Sequence, residues 1–129
     1  MPGKLLTSEK KAIVVTDGES FSSMKKVFSR MLGMYYSPTS QVMQYEEFLA
    51  RPDQTTADVL FLRSSKLFPH MIERLKAAVD AFKQKNPNAR IALTLIDTNL
   101  QPRFQEMKID VIETRWIDEA QFLQNLGSQ

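Results

Sequence analysis

Two charged residues stand where the clearest apolar runs of the chain end. Asp17 follows the run at residues 12–16, and Arg63 follows the run at residues 59–62. A carboxylate can bind a metal ion or accept a proton, whereas a guanidinium stays protonated and can only pair with or bind an anion. The chemistry open to these two positions is therefore an ion pair, a metal site at Asp17, or the capture of an anion at Arg63.

Three interpretations of Arg63 stay open. Its guanidinium could pair with Asp17, lie solvated on a loop, or join Lys66 in binding an anion such as a nucleotide phosphate. A buried pair must outweigh the desolvation of both charges. The anion site lacks the glycine-rich loop that usually cradles a phosphate.

The remaining reactive residue types do not form a catalytic pattern. The chain contains no cysteine, which excludes disulfides, thiolate metal sites and cysteine nucleophiles. His70, the single histidine, has no ligand-spaced Cys or carboxylate and is interpreted as structural. The segment Asp17-Gly18-Glu19 is interpreted as a turn and helix start rather than a metal site. We expect no enzyme activity, no catalytic residue, no cofactor and no metal site.

Composition indicates one globular domain. The 129 residues are 43% hydrophobic and 25% charged, with a net charge of +2. This balance argues against nucleic acid or an anionic membrane as a direct partner. No apolar run approaches the length of a membrane span, no signal peptide opens the chain, and the absence of cysteine fits a reducing cytoplasm. We expect a cytoplasmic domain.

Strand-like and helix-like segments alternate along the chain. Short apolar runs predict five strands at residues 12–16, within 35–45, and at 59–62, 91–96 and 109–112. Amphipathic stretches predict five helices: residues 21–32 ended by Gly33, a short helix at 46–50 stopped by Pro52, a helix from Pro69 closed by residues 86–88, a short helix at 102–107, and a last helix from Asp118 to Leu126.

The first predicted helix has two distinct faces. Its core stripe comprises Phe21, Met24, Val27, Phe28, Met31 and Leu32. Lys25, Lys26 and Arg30 take the solvated face.

This alternation predicts an α/β fold with a parallel sheet covered on both faces. The expected topology is a flavodoxin-like, three-layer fold with strand order 2-1-3-4-5. Because such sheets gather their working loops at the carboxyl ends of the strands, Asp17, Arg63, Asp97 and Thr114 are expected at one edge. The expected organisation is a flexible arm at residues 1–10, the domain at 11–126, and a tail at 127–129.

Two segments carry a resemblance to a known family. Residues 57–63 read Ala-Asp-Val-Leu-Phe-Leu-Arg, and residues 110–116 read Asp-Val-Ile-Glu-Thr-Arg-Trp. Over residues 11–126 the pattern resembles the receiver domains of bacterial response regulators, which have the CheY-like form of this fold. In that family the third strand ends in the phosphorylated aspartate, where this chain has Arg63. Where the family has an acidic pair after the first strand, this chain has Thr16-Asp17, with one acid instead of two.

The resemblance implies a degenerate phosphorylation pocket formed by Asp17, Arg63, Thr94 and Thr114. Thr94 is the nearest candidate for the family's Thr or Ser at the end of the fourth strand, and Thr114 replaces its lysine. Aspartyl phosphorylation needs a carboxylate nucleophile, Mg²⁺ ligands and a cation that offsets the charge of the phosphoryl group. The chain therefore resembles a pseudo-receiver, for which the family implies protein–protein interaction in signalling, transcription control or motility.

The candidate interface is the surface of the fourth helix, fifth strand and fifth helix, with Phe104, Arg115, Trp116 and Phe122. Phe104 and Met107 are also expected to face inward, and Trp116 is either an interface residue or a cap on the core. The expected partner is a protein, a second copy of the chain included. Alternative functions are a small-ligand or nucleotide-binding flavodoxin-like domain, an enzyme using Asp17 with His70, and the sensor half of a DNA-binding regulator.

Overall fold

Strands and helices alternate in the computed structural model as the sequence predicts. The described residues are 10–16, 18–64, 69–95, 99, 101–105, 107, 109–113, 121–122 and 125–126. The strands are β1 (Ala12–Thr16), β2 (Gln41–Gln44), β3 (Val59–Ser64), β4 (Arg90–Leu95) and β5 (Val111–Glu113). The helices are α1 (Gly18–Tyr35), α2 (Tyr45–Ala50), α3 (Pro69–Lys85) and α4 (Gln101–Phe104), with a 3₁₀ helix at Pro52–Gln54.

The strands form one parallel sheet in the order β2-β1-β3-β4-β5. This order confirms the predicted flavodoxin-like topology. The first four strands span four to six residues each, whereas β5 is a three-residue strand that pairs with residues 92–94 of β4. The working edge predicted from the sequence therefore exists, because parallel strands present their carboxyl ends on the same side.

Successive side chains along each strand point to opposite faces of the sheet and contribute to two separate apolar clusters, one on each face. On β3, Leu60 and Leu62 pack with α2, α3 and α4. Val59 and Phe61 pack with α1 and the C-terminal helical residue Leu126 on the other face. All four strand residues are at most 1% exposed. The sheet is thus covered on both faces, and we call the two sides the α1 face and the α3 face.

Helix α1 is longer than the sequence predicts. Gly33 was expected to end it, but the helix continues to Tyr35, and no described glycine has a positive φ. The continuation leads Tyr36 into the core at 1% exposure, which outweighs the helix cost of a glycine. The helix ends before Ser37, since a residue that precedes proline disfavours helical backbone.

The core stripe predicted for α1 needs one correction. Val27 was placed on it, but this side chain is 49% exposed, whereas Phe28 and Leu32 are buried. Met24 and Met31 lie half-buried against the cluster of the α1 face.

Three strands have bounds that differ from the prediction, and the smallest difference is at β4, which spans Arg90–Leu95 instead of residues 91–96. The third strand was expected to stop at Leu62, but β3 continues through Arg63 and Ser64, which pair with Thr94 and Leu95. The fifth strand was expected at residues 109–112 and is observed at Val111–Glu113. Its start is delayed because the Asp110 carboxylate accepts a hydrogen bond from the Ile91 amide at 2.7 Å, in place of a backbone carbonyl.

Helix α3 agrees with its sequence pattern. It begins at Pro69, buries Ile72, Leu75 and Phe82, and ends at Lys85. Asn86 then anchors the turn: its side-chain amide donates to the carbonyls of Thr55 and Phe82 and accepts from the amide of Ala57. Among the described residues no helix is long and apolar enough to cross a membrane. Apart from Lys10, the predicted arm and tail lie outside the described residues.

Replacing Gly33 by alanine should stabilise the protein. A Cβ built at this position meets nothing within 4 Å, and alanine is favoured over glycine in a helix interior by about 1 kcal/mol. Urea unfolding of Gly33→Ala should therefore show a free energy of unfolding higher by about 0.5–1 kcal/mol. A loss of stability would mean that Gly33 ends the helix in a left-handed conformation, as the sequence pattern suggested.

Candidate functional site at the carboxyl ends of the strands

Four polar residues of β1 to β4 form a row across the sheet at its carboxyl edge, on the α1 face, and Glu113 of β5 continues the row as the register partner of Thr94. Thr16 pairs with Gln44 on one side, and Arg63 pairs with Thr94 on the other. Thr16 and Arg63 stand opposite each other, one residue beyond the Val15–Leu62 pair. All four continue the alternation that puts Val14, Val42, Phe61 and Ala92 on the α1 face. We call Gln44, Thr16, Arg63 and Thr94 the rim row.

Arg63 provides the positive charge of the rim row. Its Nη1 donates a hydrogen bond to Oγ1 of Thr16 at 3.4 Å, and Thr16 is fully buried. Its Cζ lies 5.9 Å from the ring centroid of Phe28, within the range of a cation–π interaction. The half-buried guanidinium is therefore held between strand β1 and helix α1, and the interpretation of Arg63 as a solvated loop residue is wrong.

Aromatic rings connect this guanidinium to the C-terminal end of the described chain. Phe28 meets Phe61 edge-to-face with ring centroids 6.0 Å apart. Phe61 in turn packs against Phe122 at 5.3 Å. Edge-to-face and tilted aromatic pairs are favourable beyond the apolar area that they bury. The position of Arg63 is thus coupled by packing to α1 and to the C-terminal helical residues.

The four side chains of the rim row do not form a Mg²⁺ site by themselves. Mg²⁺ in proteins takes oxygen ligands, of which one or two are usually carboxylates. The rim row offers one amide, two hydroxyls and a guanidinium, and the guanidinium has no acceptor atom and carries a positive charge. A cation held by hydrogen bonds to a buried hydroxyl repels a second cation at the same place.

The structure brings together part of the predicted pocket. Arg63 and Thr94 are register partners on β3 and β4. Asp17 and Thr114 lie outside the described residues, as does Asp97. Thr16, the residue before Asp17, is at the same edge as Arg63, so the prediction that Arg63 lies at the carboxyl edge is confirmed. The predicted ion pair with Asp17 stays a prediction.

The predicted interface is corrected at Phe104 and partly at Phe122. Phe104 is fully buried among the residues of the α3 face. The prediction that it faces inward is therefore confirmed, and its assignment to the interface is wrong. Phe122 is half-buried against Phe61, which makes it chiefly a packing residue. Arg115 and Trp116 lie outside the described residues, and nothing is described of the His70 side chain.

Sequence reasoning missed Thr16 and Phe28 as partners of Arg63. The signal for Thr16 was its place as the last residue of a buried strand, where a polar side chain needs a hydrogen-bond partner. Phe28 was recognised as a core residue of α1. Its contact with Arg63 depends on how the helix crosses the sheet, and helical periodicity does not encode that angle.

Comparison with known proteins identifies the fold. A response regulator receiver domain protein of Methanospirillum hungatei, CheY-like, aligns with a TM-score of 0.61 at 12% identity, covering 94% of this chain and 93% of that one. Chemotaxis protein CheY4 of Vibrio cholerae gives 0.60 at 14% identity, covering 90% and 95%. The pilus assembly protein CpaE of Caulobacter crescentus gives 0.58 at 12%, covering 93% and 98%.

These similarities establish a CheY-like receiver fold over nearly the whole chain. The resemblance read from the sequence is therefore confirmed at the level of the fold. No protein-family model matches the chain, and no curated protein matches it by sequence.

Removing the guanidinium should cost stability. Arg63→Met keeps an unbranched apolar stem but loses the hydrogen bond to Thr16 and the contact with Phe28, so urea unfolding should show a loss of about 1–2 kcal/mol. Arg103→Met is the matched control. Arg103 pairs with Glu73 at 3.5 Å, with the two side chains 46% and 69% exposed, and this change should cost less than about 0.5 kcal/mol. Equal losses in both variants would contradict an anchoring role for Arg63.

Proposed function

We propose that this chain is a receiver-like regulatory domain that acts through protein–protein contact and is not switched by aspartyl phosphorylation. The observation that carries the proposal is the guanidinium of Arg63 at the end of β3, bonded to Thr16 and packed over Phe28. A guanidinium cannot act as a nucleophile toward a phosphoryl group because it stays protonated. It also places a fixed positive charge where the phosphorylation chemistry would gather Mg²⁺.

The fold and the solved structures support a regulatory rather than an enzymatic role. Among the similar structures, CheY4 is a chemotaxis protein and CpaE is a pilus assembly protein. We place this chain in a comparable bacterial setting, as a domain of a motility, pilus-assembly or signalling system. Its partner in that setting is a protein, and the domain needs no cofactor.

The phosphorylation part of the proposal is tested by intact mass. The purified chain, incubated with acetyl phosphate and Mg²⁺, should keep its mass, because residue 63 is an arginine and offers no carboxylate that could accept the phosphoryl group. A phosphorylatable receiver domain treated in parallel should gain the mass of one phosphoryl group. A Mg²⁺-dependent gain of that mass by this chain would overturn the proposal.

Arg63→Asp should not restore phosphorylation either. The substitution supplies a nucleophile, but Asp17 is then the one remaining candidate acid in the predicted pocket and Thr114 still replaces the lysine. Two carboxylates close together without a cation also disfavour the charged, folded state. Circular dichroism establishes whether the variant is folded, and strong Mg²⁺-dependent labelling of folded Arg63→Asp would contradict this account of the pocket.

Arg115 and Trp116 are proposed contact residues beyond β5. Alanine substitution of each, measured by partner binding or self-association and by thermal unfolding, separates the two roles of Trp116. A central interface Trp or Arg typically contributes about 2 kcal/mol or more to binding, so association should fall while stability is retained. If Trp116→Ala mainly unfolds the domain and Arg115→Ala changes nothing, Trp116 is a core residue and the surface lies elsewhere.

A further inference from the structure

A cleft of about 260 Å³ lies at the amino ends of the strands, on the edge of the sheet opposite to the rim row. Val59 and Arg90 line it, and these register partners are the first residues of β3 and β4. The other lining residues include Lys10, Asp58, Ala89, Asp110 and Leu126. Because parallel strands present their amino ends together, this cleft is separate from the carboxyl edge.

The guanidinium of Arg90 brings a donor without a partner to the cleft. Its Nε is buried and has no hydrogen-bond partner in the described part of the chain. A buried donor without an acceptor is unfavourable, and the cost is larger for a charged group. A ligand carboxylate removes this cost when the side chain turns into the cleft, because Arg can bind a carboxylate through two parallel N–H donors. The amino edge therefore favours a carboxylate beside Arg90.

Two carboxylates supply the opposite charge. Asp58 accepts a hydrogen bond from the amide of Lys11 at 2.9 Å, and Asp110 accepts one from the amide of Ile91 at 2.7 Å. These bonds hold the two carboxylates in place. An ionised carboxylate has about four acceptor positions, and both residues are exposed. Each can therefore also accept a hydrogen bond from an ammonium group of a ligand.

The charged residues that line the cleft balance one another. Lys10 and Arg90 carry the positive charges, and the negative charges belong to the two aspartates. A ligand of one charge would meet a like charge as well as an opposite one, which costs affinity. A zwitterion has an opposite charge for each of its own ends. The balance therefore favours a small molecule that carries both a carboxylate and an ammonium group.

Apolar side chains and limited size restrict the ligand further. Val59, Ala89 and Leu126 are buried and provide an apolar part of the lining. The volume lies below the range of about 300–1,000 Å³ that is typical of ligand pockets. The ligand should therefore be small and carry an apolar group next to its two charges.

We propose that this cleft binds a free α-amino acid with an apolar side chain. Arg90 holds the carboxylate of the ligand, and Asp58 and Asp110 hold its ammonium group. The apolar side chain lies against Val59 and Leu126. The inference goes beyond the proposed function, because it gives the domain a small-molecule input at the edge opposite to the one that phosphorylation would use.

The test titrates L-leucine into the full chain. Calorimetry should show saturable binding with a dissociation constant of about 1 mM or lower, and amide NMR shifts should concentrate on residues 58–59, 89–91 and 110. Two compounds each lack one charge of leucine: 4-methylpentanoate lacks the ammonium group, and 3-methylbutylamine lacks the carboxylate. Each should bind at least about tenfold more weakly. Glycine should also bind more weakly because it buries no apolar side chain, and inorganic phosphate should not bind.

Arg90→Met and Asp110→Asn should each raise the dissociation constant for L-leucine about tenfold or more. Asparagine keeps an oxygen that can accept the hydrogen bond from Ile91, so Asp110→Asn tests the charge rather than the fold. Arg51→Met is the matched control, because Arg51 is exposed and follows α2, outside this cleft. Binding by that variant should be unchanged, and circular dichroism checks that each variant is folded.

The proposal is overturned if L-leucine fails to bind or if its shifts map away from the amino edge. It is also overturned if either one-charge compound binds as tightly as leucine, or if Arg51→Met and Arg90→Met weaken binding equally. If Arg90→Met does not fold, Asp110→Asn and the ligand series still decide. The phosphodonor assay concerns the opposite edge, so failure here leaves the proposed loss of phosphorylation standing or falling by itself.

Discussion

In a parallel sheet that is covered on both faces, polar side chains can be placed almost only at the ends of the strands. The residues of β1 are all buried, and those of β3 are buried up to Leu62. This constraint fixes the helices on both sides and makes the carboxyl edge the main place where side chains can meet solvent or ligands. A polar or charged residue there must find partners within the edge, since the layers behind it are apolar.

Arg63 satisfies that requirement with a hydroxyl and an aromatic ring. Thr16 is buried and accepts its hydrogen bond, while Phe28 on α1 provides a face for the guanidinium. The cation thereby connects strand and helix at the carboxyl end of β3. Since Phe28 contacts Phe61, and Phe61 contacts Phe122, the same packing extends to the C-terminal part of the domain. This edge is therefore held in part by a structural cation.

The sequence was sufficient for the topology, because most elements have a strong local signal; the second strand, placed only within residues 35–45, has the weakest. The continuous apolar run of β1 and the stripe of α3 both lie where the pattern predicts. Boundaries were less predictable because they depend on tertiary contacts. Helix α1 continues past Gly33 and leads Tyr36 into the core, and β5 starts late because the Asp110 carboxylate accepts a hydrogen bond from the Ile91 amide.

The partners of the candidate site were harder still to predict. The strand position of Arg63 follows from its pairing with Thr94, and its contact with Phe28 follows from the orientation of a helix on a sheet. Neither is a property of residue spacing. The exposure of Val27 has the same origin, since helical spacing placed it on the core stripe, whereas its burial depends on how the helix lies on the sheet.

The central claim is that the carboxyl edge cannot hold the phosphoryl group and Mg²⁺ of a working receiver. Beryllofluoride, which activates the NtrC receiver domain among the similar structures, tests it most directly, because it imitates a phosphoryl group on aspartate. Amide NMR spectra of the chain should show unchanged shifts at Thr16, Arg63 and Thr94 when beryllofluoride and Mg²⁺ are added together. Saturable, Mg²⁺-dependent shifts at those three residues would contradict the claim.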